Sequence, residues 1–203
     1  MSIKSLSKLK MNKLIISLVM LTFFLLNYSC SAPNILATGS GSTMVIADGD
    51  KSLGTTIDDA AIKVKISTKF LQSKNNLFLN INIEVTQGRV LLTGIVQKQE
   101  TRIEAIRKVW EVERVREVIN EIEIGDKSTI KEYANDVWIT AQVKTLAAKN
   151  VGWRALAYNF ETIKGKVYIA GITSHKDQLN ILIESIETIK GLKEIINYVI
   201  IKE

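Results

Sequence analysis

The 203-residue chain repeats itself at a fixed offset. Gly88-Arg89-Val90-Leu91-Leu92-Thr93-Gly94 is echoed by Gly165-Lys166-Val167-Tyr168-Ile169-Ala170-Gly171, 77 residues later. The same offset carries Asp59 to Asp136, Ile62 to Ile139, Leu79 to Leu156, Ile106 to Ile183 and Asn120 to Asn197, with no gap from about residue 57 to residue 201. Self-similarity held in register over that length means two copies of one folding unit. Each copy has about 70 residues, a size that buries a modest fraction of its surface, so the copies are expected to pack on each other.

The periodicity within a copy sets its elements. Ile62, Ile66, Phe70 and Ser73 fall on one face of a helix starting near Ile57, where Asp58 or Asp59 can cap it. From Leu79 the period changes to two, with Leu79, Ile81, Ile83 and Val85 alternating with Asn80, Asn82, Glu84 and Thr86. Gln87-Gly88 turns this strand into a second, Val90 to Val96, as a hairpin. Gly94 inside that strand marks a bulge or a close approach by a neighbour. Residues 99–112 return to helical spacing with Ile103, Ile106 and Val109, and a last strand covers 115–124 with Val118, Asn120, Ile122 and Ile124 on one side. The second copy predicts a helix from Asn135 or Asp136 to about Ala148, strands over 156–163 and 166–173, a helix over 176–189 and a strand over 192–201. The fold class is α+β. Two tandem domains, 57–124 and 134–203, are joined by a polar linker, 125–133, and each runs α-β-β-α-β with a three-stranded mixed sheet and two helices on one face.

Ahead of the repeat, residues 1–13 are polar with four lysines and residues 14–26 are apolar. Thirteen apolar residues are too few to cross a bilayer, which needs about 20. The segment 1–29 reads as a signal peptide, against the alternative of a buried N-terminal helix. Asn27-Tyr28-Ser29-Cys30 then resembles a bacterial lipobox, in which a small residue precedes a Cys that is diacylated, although Asn27 stands where the pattern wants Leu and Leu26 lies one further out. Cys30 is the expected lipidation site, against a soluble secreted protein or an inert thiol. Residues 30–56, rich in Ser, Thr, Gly and Ala, complete the picture as a lipidated Cys and flexible tether.

Several function classes are disfavoured. The formal charge of +6 comes largely from Lys4, Lys8, Lys10 and Lys13, so residues 30–203 carry 23 basic against 21 acidic side chains. A nucleic-acid binder would show a dense basic face instead. One Cys and one His make an internal disulfide impossible and a zinc site improbable. No nucleophile–His–carboxylate motif, metal-ligand spacing or phosphate-cradling Gly loop is present, which points to a non-catalytic protein without cofactor or metal.

The succession of a helix, a hairpin reading G-x-V-x-L-x-G, a second helix and V-x-x-V-x-N resembles the BON domain (bacterial OsmY and nodulation domain), over 57–124 and 134–201. With the leading segment, Cys30, Ser52-Leu53-Gly54-Thr55-Thr56-Ile57-Asp58-Asp59 and Asn135-Asp136-Val137-Trp138-Ile139-Thr140, the chain is similar to dual-BON outer-membrane lipoproteins. One departure is in the first copy: the Gly expected before the last strand is Gly191 in copy two but Arg114 in copy one. The resemblance implies binding rather than catalysis. Its members are anchored on the periplasmic face of the outer membrane and bind anionic phospholipid through the first helix of the second BON domain. They support outer-membrane integrity at division sites and under envelope stress.

The residues of that helix are compatible with such a role. Ile139, Val143 and Leu146 form its buried face, and Trp138 lies about 100° away beside Thr145 and Lys149, with Lys144 further round. An indole flanked by hydroxyl and ammonium groups suits the headgroup level of a bilayer. Trp138, Lys144, Thr145 and Lys149 are therefore the candidate lipid contacts, while copy one offers only Ala61, Thr68 and Gln72 at the equivalent flank. The alternative for Trp138 is packing against the other domain or the linker. Trp153, next to Arg154, extends the same edge or caps the core, and Trp110 is expected in core or interdomain packing. The second functional reading is a periplasmic protein-interaction or chaperone-like module, using a domain surface or strand edge to assist the outer-membrane assembly machinery.

Overall fold

The computed structural model describes residues 53–126 and 128–202. The expected signal peptide, Cys30 and the tether as far as residue 52 lie outside the described residues. The described elements belong to one compact unit, Ile46–Glu203. They are α1 (Leu53–Leu71), a short α2 (Leu77–Asn80), β1 (Ile81–Thr86), β2 (Arg89–Val96), α3 (Gln99–Trp110) and β3 (Glu117–Ile124), then α4 (Ile130–Val151), a 3-10 turn (Gly152–Ala157), β4 (Tyr158–Ile163), β5 (Lys166–Thr173), α5 (Lys176–Glu187) and β6 (Glu194–Ile201).

Each copy is a three-stranded mixed sheet, β1-β2-β3 or β4-β5-β6. The hairpin pairs antiparallel, with Ile83 opposite Leu92 and Phe160 opposite Ile169, and the last strand returns parallel to the central one. A parallel return needs a crossover, which α3 and α5 supply. Alternation along the central strands feeds two cores. Val90, Leu92 and Val96 meet Ile62, Ile66, Phe70, Ala105 and Val109 from the helices, and Val167 and Ile169 meet Ile139, Val143, Leu179, Leu182 and Ile186. Leu91, Tyr168 and Ala170 point the other way and form a third cluster with Ile119, Ile163, Ile196 and Tyr198. The sheets therefore pack on each other through the faces their helices leave open, and α1 and α4 stand on opposite outer faces of a four-layer sandwich. Burial on both faces explains why β2 and β5 read as near-continuous apolar runs.

Polar contacts border this inter-sheet cluster. Asn82 donates to Glu161 at 2.8 Å, Lys166 to Glu123 at 2.9 Å, and the Tyr198 hydroxyl to Glu121. Burial first, and Glu121 second, push the Tyr198 hydroxyl up to about 12, so it remains a donor throughout the neutral range.

Several expected boundaries move. Leu79 and Leu156, read as the first strand residues, sit in α2 and in the 3-10 turn and are largely exposed, and the strands begin at Ile81 and Tyr158. The cause is glycine: a Cβ on Gly94 would stand 2.1 Å from the Asn80 carbonyl oxygen and one on Gly171 2.2 Å from that of Ala157, so these are the close approaches that end the pairing. α1 starts at Leu53, so residues 53–56 are its first turn rather than the end of the tether. α4 starts at Ile130, inside the segment read as a linker. Ile103, placed on the helical stripe, and Trp110, expected in core or interdomain packing, are each 54% exposed; Ala105 and Val109 take the inward positions of α3. Asn120 and Ile124 are exposed as well, leaving Ile122 as the fully buried residue of β3.

The aspartates read as helix caps do a different task. Asp59 lies inside α1 and accepts from the Gln87 and Gly88 N–H groups at 2.8 and 2.9 Å. Asp136, inside α4, accepts from Lys164 and Gly165 at 2.8 Å each. Each carboxylate ties its domain's first helix to the hairpin turn. Arg114, at the position of Gly191, takes the same left-handed conformation (φ 69° against 90°), so the turn before β3 survives without its glycine.

Candidate membrane-facing helix

α4 owes its start to a capping box. Thr129 Oγ1 accepts from the Glu132 N–H at 3.2 Å, and Glu132 Oε2 accepts from the Thr129 N–H at 2.8 Å. The second bond holds the Glu132 carboxyl below the ordinary glutamate range. Thr129-x-x-Glu132 was the signal that could have placed this start. Asp136, Ile139, Val143, Ala147 and Val151 face inward, and each fully buried branched side chain contributes about 1.5–3 kcal/mol. Gly152, at φ 60°, ends the helix.

The outward face is unusually apolar for a solvent-facing surface. Ile130, Tyr133, Val137 and Trp138 are exposed, the last at 48%, and Trp153 and Leu156 follow beyond the helix. The reading from sequence missed Ile130, Tyr133 and Val137, because starting the helix at Asn135 left them in a linker or off the counted face. From Tyr133 to Phe160 the only carboxylate is Asp136, which is buried against the hairpin turn. Beyond the exposed Glu132 of the capping box, the face thus combines apolar side chains with Lys144, Lys149 and Arg154 and no exposed negative charge.

The four candidate contacts divide. Trp138, Thr145 and Lys149 share one exposed strip, seven and four residues apart, while Lys144 is exposed about 120° round from Trp138. Lys144 lies near Glu161 and draws that carboxyl down, against the larger upward push of burial and of Glu84. The Thr145 hydroxyl donates to the Ala141 carbonyl at 2.9 Å, which leaves its oxygen free to accept. Trp138 is not packed away against the other copy. Trp153 is 51% exposed, with the Arg154 guanidinium 4.9 Å from its ring centroid.

One donor on each of the edge strands β3 and β6 is already taken. Asn197 Oδ1 accepts from the Val199 N–H at 2.9 Å, and Asn120 Oδ1 from that of Ile122 at 3.3 Å. These are the asparagines of the V-x-x-V-x-N positions, and they satisfy donors that an added strand would use. Among the described residues no group of three His, Cys, Asp or Glu is placed to hold a metal, and no helix is long and apolar enough to cross a membrane.

The BON domain family matches residues 58–126 and 135–203, once for each copy. The chain belongs to the BON domain family. The chain is 40% identical over 147 residues to the uncharacterized protein in the gshII 5' region of Anaplasma centrale, covering 72% of this chain and 96% of that one. It is 25% identical over 195 residues to osmotically-inducible protein Y of Escherichia coli, covering 93% and 96%. It is 30% identical over 161 residues to outer membrane lipoprotein DolP of Haemophilus influenzae, covering 78% and 82%. Two BON domains in tandem, α+β with three-stranded mixed sheets, are therefore both its sequence family and its fold.

Proposed function

We propose that this dual-BON chain is a non-catalytic protein of the bacterial envelope. In this reading it is anchored through Cys30 to the periplasmic face of the outer membrane and binds anionic phospholipid through α4, supporting outer-membrane integrity at division sites. The observation that carries the reading is the outward face of α4, where a half-exposed Trp138 and neighbouring apolar side chains are flanked by lysines, with the exposed carboxylate of Glu132 confined to the capping box at the helix start. Such a face favours the bilayer interface, where indole rings and basic side chains settle at headgroup level. Each lysine near an anionic surface adds about 1 kcal/mol, an attraction that salt screens. The outer-membrane location is supported by the likeness to DolP, a lipoprotein of that membrane by its name. The capped edges at Asn120 and Asn197 weigh against the alternative of a chaperone-like module that recruits strands.

The test is co-sedimentation of the Ile46–Glu203 unit, which holds all three hydrophobic clusters, with phosphatidylglycerol and phosphatidylcholine vesicles. Binding selective for phosphatidylglycerol, falling with salt and weakened about tenfold or more by Trp138→Glu, is expected. Equal pelleting of wild type and variant would remove α4 as the contact.

A further inference from the structure

The outer face of α1 is the second unpartnered apolar surface, and it differs in kind from that of α4. Ile57, Val64 and Leu71 are 66%, 64% and 68% exposed. Spaced by seven, they stay within about 40° of one another at 100° per residue, directly away from Ile62, Ile66 and Phe70 in the core. The equivalent positions of α4 are Ala134, Ala141 and Ala148, so this ridge is a property of copy one and not of the repeat.

The helix's own charge is one-sided beyond its first turns. From Ala60 to Ile83 the chain holds Lys63, Lys65, Lys69 and Lys74 and no carboxylate. Lys63 pairs with Glu84 at 3.1 Å and Lys69 with Glu111 at 2.9 Å, while Lys65 and Lys74 have no ion-pair partner among the described residues. Asp58, at the start of the ridge, is held by Arg114. Glu111 and Glu113 line a shallow groove with Val64, Lys65, Thr68 and Lys69, and Glu111 there is paired with Lys69. Two copies of α1 paired about Val64 would set lysines against lysines, whereas an anionic surface would complement them.

We propose that the outward face of α1 is a second bilayer-contacting surface, taking anionic phospholipid through Ile57, Val64 and Leu71 with Lys65 at headgroup level. Because the two sheets pack back to back, α1 and α4 face in opposite directions. One molecule then bridges two bilayers, a consequence that rests on the lipid reading of α4 given above. Bridging is a separate activity from anchoring, since it brings two membrane surfaces together across the thickness of the sandwich.

The experiment uses the Ile46–Glu203 unit with phosphatidylglycerol vesicles, reading pelleting for contact and light scattering for vesicle clustering. Wild type is expected to cluster the vesicles. Val64→Glu and Leu71→Glu, both at exposed positions, should still pellet through α4 yet lose about tenfold or more of the clustering signal. Trp138→Glu should keep the pelleting that α1 supports, and Val64→Glu added to it should abolish that remainder. The α4 reading is judged separately, on whether adding Trp138→Glu to Val64→Glu removes the pelleting that Val64→Glu alone retains. Clustering by Val64→Glu and Leu71→Glu at the wild-type level overturns the proposal. So does a lipid-free dimer, seen by sedimentation equilibrium, that Val64→Glu converts to monomer, because the ridge would then be a contact between copies.

Discussion

The first helices of the two copies bury the same positions and expose different chemistry. Ile62, Ile66 and Phe70 of α1 answer to Ile139, Val143 and Ala147 of α4, all buried. Outside, α1 carries an aliphatic ridge, while α4 places small residues at those positions and sets Val137 and Trp138 on either side of them. The two second helices diverge in the same way, since Arg107 and Trp110 of α3 become Glu184 and Glu187 of α5. A duplicated core must stay apolar, although Phe70 and Ala147 show that its volume is not kept position by position. The surface is free of that constraint, so differences between the copies concentrate where contacts with other partners would be made.

The comparison should break first at the features both copies need. Gly94 and Gly171 have φ values of 140° and 150° and no room for a Cβ. Gly94→Val and Gly171→Val are each expected to cost about 3–5 kcal/mol, from backbone strain and overpacking together. Urea unfolding should report losses of similar size in the two copies. A mild effect in one copy would show that its α2 or 3-10 turn can move away.

These glycines also mark how far the sequence could be read. The repeat, the element order and most core positions were legible, because a period of two or 3.6 survives in a single chain. Ends of elements were not. Leu79 and Leu156 continue the alternation of the following strand and look like its first residues, and only the approach of Gly94 or Gly171 to the backbone there shows otherwise. Ile103 and Trp110 look like core because they are large, yet the inward places of α3 go to Ala105 and Val109, where helix and sheet come close. Asp59 and Asp136 pass for caps, since a carboxylate bonded to a turn 28 or 29 residues away leaves no local pattern. At the candidate site, Trp138 was correctly singled out as a solvent-facing flank residue of the helix, whereas Ile130 and Tyr133 depended on locating the helix start.

A smaller and unequal effect is expected at those aspartates. Asp136 is 7% exposed and Asp59 is only half-buried, although each accepts two turn N–H groups. Removing the acceptor leaves donors unsatisfied, which costs about 1–3 kcal/mol and most where water cannot replace it. Asp136→Ala should therefore fall at the upper end of that range and Asp59→Ala at the lower, measured as shifts in denaturation midpoint with the slope unchanged. Equal costs would mean that the exposed turn of copy one depends on its carboxylate as fully as the buried one.

The smallest effect concerns Glu84 and its repeat partner Glu161, which face each other's sheet. Glu84 has Lys63 at 3.1 Å, but the residue equivalent to Lys63 is Thr140, whose hydroxyl donates to Thr162 at 2.7 Å instead. Glu161 is left with Asn82 as its hydrogen-bond donor. Burial, and then the nearby Glu84, raise its carboxyl above the ordinary glutamate value. A carboxyl raised in the folded state binds its proton more readily there than in the unfolded chain. Its contribution to stability is therefore full below the unfolded value and is lost as pH rises through the folded one. Glu161→Gln keeps an acceptor for Asn82 and removes the charge, so it should stabilise the fold at pH 7.5. That advantage should shrink as pH falls toward the ordinary glutamate range, when the wild-type carboxyl is protonated as well. Denaturation midpoints of both proteins across this window are the measurement. A variant less stable than wild type at pH 7.5 would show that the charged carboxylate holds the two sheets together rather than straining their contact.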